Sequence, residues 1–309
     1  MHGTEADHRM RSGEVPEPPP PFPFPFSTAM TRQMTSPRIV TVLLLATGLA
    51  CAAQLHIAAA AAGPAPLRYT PVEEDGHRVL ADDPSGSGRV VEVFGDLDTA
   101  RDIAVVVPGM GQNRENFWHS DVSPGVVPSH NARALYGELR ERRPGREVAV
   151  VAWLGYESPQ IGDPLVATSV RAEQGAEELV RFRREVLPPE AHITLVCHSY
   201  GTTVCGLATR EPDIADDVVA LASPGMGVDD ARDIRARVWA TRAEDDWIRF
   251  VPSFQLDELG LGRGDPMKSD FGAHTFNPGE ISGHQNYFQP GSDSLRTTAR
   301  IVLGDPTLR

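Results

Sequence analysis

The sequence predicts an α/β domain built on a mostly parallel sheet with helices on both faces, and three observations predict it. Short β-branched runs alternate with stretches of helical spacing, the order that places crossover helices between parallel strands. One of those runs, Val148-Ala-Val-Val-Ala-Trp153, is continuously apolar, as expected of a strand buried on both faces. A serine sits where one strand hands over to one helix, in Cys197-His198-Ser199-Tyr200-Gly201. The composition agrees: 40% of the 309 residues are hydrophobic and 23% are charged, a globular balance.

Taken in order, residues 90–94 and 103–107 read as strands joined by a turn containing Gly95 and Asp96. Residues 132–143 have helical spacing and 148–153 form the apolar strand. Residues 170–186 are helical, with Ala172, Ala176, Leu179 and Phe182 forming the inward stripe. Strands follow at 193–196, 218–222 and 238–241, and a helix at 294–303 closes the domain. Residues 256–277 are Gly-rich and lack periodicity, so they read as an irregular excursion over the sheet's edge, near the site.

Residues 63–309 suit one domain, because single cores stop growing only near about 250 to 300 residues. The first 62 residues differ. The prolines of residues 16–26 forbid helix and ladder alike. Met30, Met34 and Arg38 then precede an apolar run and an alanine tract, in the order of a signal peptide. Residues 1–62 are therefore expected to be a disordered Pro-rich tail plus a signal peptide or anchor, and the protein to be secreted or on the cell surface. A retained membrane anchor, or lipidation at Cys51, is the alternative, and transient membrane association through the leader is expected. Cys197 and Cys205 stand eight residues apart across a strand end and a helix. On that spacing no bridge between them is expected, nor any thiol metal site. A net charge of −13 argues against nucleic-acid binding.

The chemistry is carried by four segments. Ser199 lies in a variant of the G-x-S-x-G turn, which pushes a serine out above a strand's carboxyl end and aims a helix N-terminus at it. Val105-Val-Val-Pro-Gly-Met110-Gly-Gln112 runs a strand into a flexible loop. Backbone N–H donors at Tyr200 and Met110 would there stabilise an acyl-transfer oxyanion. A serine needs a base, and the base a carboxylate. After residues 238–241 come Glu244, Asp245 and Asp246, of which Asp246 is favoured because Trp247-Ile248 reads as the buried resumption of the chain. His284 leads among the histidines, with His274 as its rival, while His192 and His198 read as structural neighbours of the serine's strand. Trp153 and Tyr156, just after a central strand, are expected to line an apolar acyl pocket, with a plain core position as the alternative for Trp153.

From about Pro71 onward the chain resembles the actinobacterial family of α/β-hydrolases once classed as a domain of unknown function, the DUF1023 type. The residues that carry the resemblance are Val107-Pro-Gly-Met-Gly-Gln, Val151-Ala-Trp-Leu-Gly-Tyr-Glu-Ser-Pro, Cys197-His-Ser-Tyr-Gly-Thr, Ala222-Ser-Pro-Gly-Met-Gly-Val, Glu244-Asp-Asp-Trp-Ile and Gly283-His-Gln-Asn-Tyr-Phe. The resemblance implies the α/β-hydrolase fold and a triad of Ser199, Asp246 and His284. The chain departs from the family pattern at Cys197, where Gly usually begins the turn, and at Trp247, where Pro usually follows the acid. The expected function is hydrolysis of a carboxylic ester, on a small molecule or lipid, through an acyl-enzyme on Ser199 and without a cofactor. Acyl transfer to a cell-envelope acceptor, or an inactive binding relative, are the alternatives.

Overall fold

A computed structural model describes residues 63–160, 162–163, 168–251 and 263–308. The expected Pro-rich tail, leader and anchor lie outside the described residues, as does Cys51. The strands are β1 (Val72–Glu74), β2 (His77–Asp83), β3 (Arg89–Phe94), β4 (Asp102–Val107), β5 (Val148–Leu154), β6 (His192–His198), β7 (Asp217–Leu221), β8 (Arg237–Thr241) and β9 (His274–Thr275). The helices of two or more turns are α1 (Pro128–Arg142), α2 (Val170–Glu185), α3 (Gly201–Ala208) and α4 (Asp293–Val302).

One sheet takes the order β1-β2-β3-β5-β4-β6-β7-β8-β9. From β5 to β9 every pairing is parallel, and β1, β2 and β3 add an antiparallel flank. Strands β4, β5 and β7 are buried at every position, so both faces of the sheet are covered. α1 packs against α4, and α2 against α3. The helix ends follow local chemistry: Pro128 opens α1, and the Ser292 hydroxyl accepts the Leu295 N–H at 3.1 Å to cap α4.

The α/β class is as expected, and so is each strand and helix named from the sequence. Three details differ. β3 and β4 are consecutive but do not pair, because β5 inserts between them and runs antiparallel to β3. The flank β1–β2 escaped notice because its residues are mostly polar or only half buried. The described part of residues 256–277 contains β9, which extends the parallel sheet beyond β8, while residues 252–262 lie outside the described residues.

The chain leaves β4 for β5 on one side and later returns to β6 on the other, so the carboxyl ends of β4 and β6 flank a switch point. Open α/β sheets bind ligands at such crevices.

Candidate active site

Ser199 follows β6 directly and takes φ +52°, a left-handed conformation that a non-glycine residue adopts at a cost of order 1–3 kcal/mol. The turn is held by the Ser199 N–H donating to Leu221 O at 2.9 Å and by the Thr202 hydroxyl donating to Ser199 O at 2.7 Å. A Cβ on Gly201 would lie 2.5 Å from Pro108 O, so only glycine lets α3 begin this close to the end of β4. A Cβ on Gly109 would fall 3.3 Å from Ser199 Oγ, which places the β4 loop beside the serine.

The same reversal overturns the expectation for the cysteines. Cys197 and Cys205 form a disulfide, with Cα atoms 6.6 Å apart, inside the usual bridging range. The spacing argument pictured the strand and helix as running on. At Ser199 the chain instead doubles back, and the second turn of α3 comes alongside the end of β6.

His284 Nε2 lies 2.9 Å from Ser199 Oγ, and its Nδ1 lies 2.8 and 3.1 Å from the two oxygens of Asp246. An ionised carboxylate only accepts, so Nδ1 carries the hydrogen and Nε2 faces the serine hydroxyl as an acceptor. Asp246 is fully buried and also accepts from Ile248 N at 2.9 Å and from the Tyr287 hydroxyl at 2.7 Å. Burial alone would raise its pKa, but the hydrogen bonds from His284, Ile248 and Tyr287 and the attraction of His284 outweigh it, and the net shift is downward. Burial pushes the Tyr287 phenol up, so it remains a donor, and its oxygen accepts from Ala243 N at 2.8 Å.

The rival residues have other places. Asp245 is exposed and holds the loop before His284, accepting from the Ser282 hydroxyl at 2.5 Å and Gly283 N at 2.8 Å. Glu244 is exposed. His274 stands on the edge strand, its ring 4.9 Å from that of Trp239. His192 begins β6, at the end of the strand opposite Ser199.

His198 is more than a neighbour. Its Nε2–H donates to the His284 carbonyl at 2.7 Å, and its ring centroid lies 4.9 Å from that of His284. Burial, with the neighbouring His284 ring opposing a second positive charge, lowers its pKa to about 3, so it serves as a neutral donor.

Trp153 and Tyr156 depart from the expected pocket wall. Trp153 is fully buried in the core, with ring contacts to Phe182 and Tyr156. A stacked column runs from Trp153 through Tyr156 to Tyr200, with centroids 6.2 and 6.4 Å apart. The column supports the residue after the serine from below. Trp153 lies within β5, which runs to Leu154 and is buried at every position, so its side chain faces the core.

Tyr156 also opens a brace that sequence reasoning missed. Its hydroxyl donates to Pro108 O at 2.8 Å, the Ser158 hydroxyl to Gly109 O at 2.9 Å, and Gln160 Nε2 to Gln112 O at 2.9 Å. Gly111 N donates back to Pro159 O at 2.8 Å. The Gly109–Met110 peptide is trans, so its N–H points opposite to its carbonyl. With the carbonyl drawn toward Ser158, the Met110 N–H points away from the brace. Tyr200, as the N-cap of α3, has an N–H without an acceptor inside the helix.

The alpha/beta hydrolase family model matches residues 83–256, more than half of the chain, and the chain belongs to that family. An uncharacterized protein of Mycobacterium tuberculosis is 30% identical over 252 residues, covering 71% of this chain and 37% of that protein. An uncharacterized protein of Mycobacterium bovis is 33% identical over 156 residues, covering 48% of this chain and 57% of that protein. The chain thus spans between a third and three fifths of the length of these relatives. Among solved structures, an α/β serine hydrolase without a lid from Xanthomonas campestris is 14% identical, with a TM-score of 0.42 over 78% of this chain and 95% of that one. Carboxyl esterase 2 from the fungus Tuber melanosporum is 13% identical, with a TM-score of 0.41 over 76% of this chain and 87% of that one.

Proposed function

We propose that this hydrolase cleaves a carboxylic ester through an acyl-enzyme on Ser199. The observation that carries the reading is the unbroken chain of hydrogen bonds from Ser199 Oγ through His284 to the buried Asp246. In this reading His284 Nε2 takes the serine proton as Oγ attacks the ester carbonyl. It returns that proton to the leaving alcohol, then activates the water that releases the acid. Asp246 holds the imidazole tautomer and supports its cationic form. The N–H groups of Tyr200 and Met110 receive the oxyanion, each such donor being worth about 3–4 kcal/mol. The brace on Gly109 and the helix start at Tyr200 support those two roles.

We further propose export of the protein. The Cys197–Cys205 disulfide supports this, since such bonds persist in oxidising compartments. N-terminal sequencing of the secreted protein tests it, and retention of Met1 would sink the signal-peptide reading.

The nucleophile is tested by labelling residues 63–309 with a fluorophosphonate and mapping the modified peptide. Labelling of Ser199 that is absent from a Ser199→Ala variant is the expected result. A folded sample that takes no label, or takes it elsewhere, overturns the assignment.

A further inference from the structure

Among the described residues four large hydrophobic side chains are exposed: Val72, Val122, Trp247 and Phe250. Three of them belong to segments that border the His284 loop. Trp247 is 51% exposed and its ring centroid lies 4.7 Å from that of His284. Phe250, 80% exposed, ends the same one-turn helix, Trp247–Phe250. Val122 stands three residues before Gly125, where a Cβ would lie 2.7 Å from Gln285 O.

The helix puts the two aromatic residues on one side, with the Arg249 guanidinium 5.7 Å from the Phe250 ring centroid. In a helix of three residues per turn, side chains at i and i+3 eclipse one another, so Trp247 and Phe250 stand in one row. The helix cannot turn them inward: Asp246 caps it by accepting the Ile248 N–H at 2.9 Å, and Ile248, between the two rings, is buried in the core. The row is thus locked to the same carboxylate that holds His284. It begins against the His284 ring and leads outward to solvent.

We propose that Trp247 and Phe250 form a subsite for the alcohol portion of the substrate, and that the ester cleaved here carries an apolar alcohol, alkyl or aryl, long enough to lie along both rings. The inference rests on the reading of Ser199 and His284 given above. When Ser199 Oγ bonds to the carbonyl carbon, the tetrahedral adduct collapses by breaking the bond between that carbon and the alcohol oxygen. The oxygen leaves with its electron pair and takes the proton from His284 Nε2, while the acyl group stays on Ser199. The leaving oxygen must therefore lie at His284, on the side of the serine away from the oxyanion donors. Whatever is attached to that oxygen is the part of the substrate that meets Trp247 first.

The test compares kcat/KM along two series, both below the concentration at which the esters aggregate: acetates of ethanol, butanol and octanol, and methyl esters of acetic, butyric and octanoic acids. Contact on one side of the chain is worth about twofold per methylene, half of the free-energy gain for full burial. Octyl acetate should therefore exceed ethyl acetate by about tenfold or more. Trp247→Ala and Phe250→Ser should each cut that ratio to about threefold or less, while the ratio of methyl octanoate to methyl acetate stays within about twofold of wild type. Should Trp247→Ala disturb His284 or the fold, Phe250→Ser at its exposed position carries the test alone. A ratio in the alcohol series that neither variant changes overturns the proposal, as does a loss confined to the acyl series. So does a chain-length effect seen only with aggregated ester, which would assign the rings to a lipid surface. If wild type cleaves no ester, the reading of the site fails and this inference with it; an active enzyme with unaltered ratios removes the subsite alone.

Discussion

Three carboxylates in a row, Glu244, Asp245 and Asp246, do different work because one turn of chain points them in different directions. Asp246 is buried against His284, and Asp245 faces out and clamps Ser282 and Gly283. Asp246→Asn should lower kcat by about 10³- to 10⁴-fold, since the amide no longer fixes the required tautomer. Asp245→Asn leaves the Gly283 N–H an oxygen acceptor, so a loss of about tenfold or less is expected. Steady-state kinetics on the two variants decides it, and the larger loss at Asp245 would reverse the assignment. The reason for favouring Asp246 from the sequence holds only in part. Ile248 is indeed buried, whereas Trp247 is half exposed and stands over His284. Tyr287 lay within a quoted motif, yet its hydroxyl bond to Asp246 was invisible, because a contact across 41 positions leaves no local pattern.

At the scale of elements, the site depends on two constraints that pin loops to strands. The first is the brace from Tyr156, Ser158 and Gln160 onto the loop after β4. Ser158→Ala leaves the Gly109 carbonyl only the longer contact from the Tyr156 hydroxyl at 3.4 Å, which loosens it and with it the Met110 N–H. A loss of about 10- to 100-fold in kcat with KM little changed is expected, below the cost of deleting a donor outright. Equal losses in Tyr156→Phe would show that the Tyr156 hydroxyl, which reaches the Pro108 and Gly109 carbonyls, matters as much. The second constraint is the Cys197–Cys205 bridge, which closes a loop of about nine residues around Ser199. Chain entropy for such a loop is worth about 2.5 kcal/mol. The double variant Cys197→Ala, Cys205→Ala should therefore melt about 5–10 °C lower by calorimetry. An unchanged melting temperature would mean that the bridge contributes nothing to stability. The strand and helix around the bridge were each legible. What was not legible was the angle between them, on which the cysteine distance depends.

Across the whole molecule, the sheet separates the end that carries Ser199 and His284 from an ionic one. At the amino ends of β6, β7 and β8, Asp217 accepts from Arg237 at 2.9 and 2.7 Å and from Trp239 Nε1 at 2.7 Å, with His192 Nε2 at 3.1 Å. The bond to Asp217 raises the His192 pKa against the opposing effect of burial, with Asp216 and Asp102 adding to the rise. Burial would raise the Asp217 pKa, but hydrogen bonds from His192, Arg237 and Trp239 lower it. A raised histidine contributes stability that is complete below its unfolded value near 6.5 and is lost as pH rises through the folded value. A depressed carboxylate contributes above about 3.9, and that share is lost as pH falls through its folded value. Thermal stability should therefore decline as pH rises from about 6.5 through the raised value of His192. His192→Asn should flatten that decline, as melting curves between pH 5 and 9 would show; an identical slope in the variant would place its origin elsewhere.

Local pattern by itself determined the α/β class, the six strands and the helices between them, because periodic burial writes itself into neighbouring residues. It also determined where Ser199, the acidic run and His284 fall relative to strand ends. Only the tertiary structure decided that β5 separates β3 from β4, that Cys197 meets Cys205, and that Trp153 belongs to the core. It alone turned Trp247 and Phe250 outward beside His284. Each of these depends on the direction the chain takes after an element ends, and that direction is settled by packing between residues far apart in sequence.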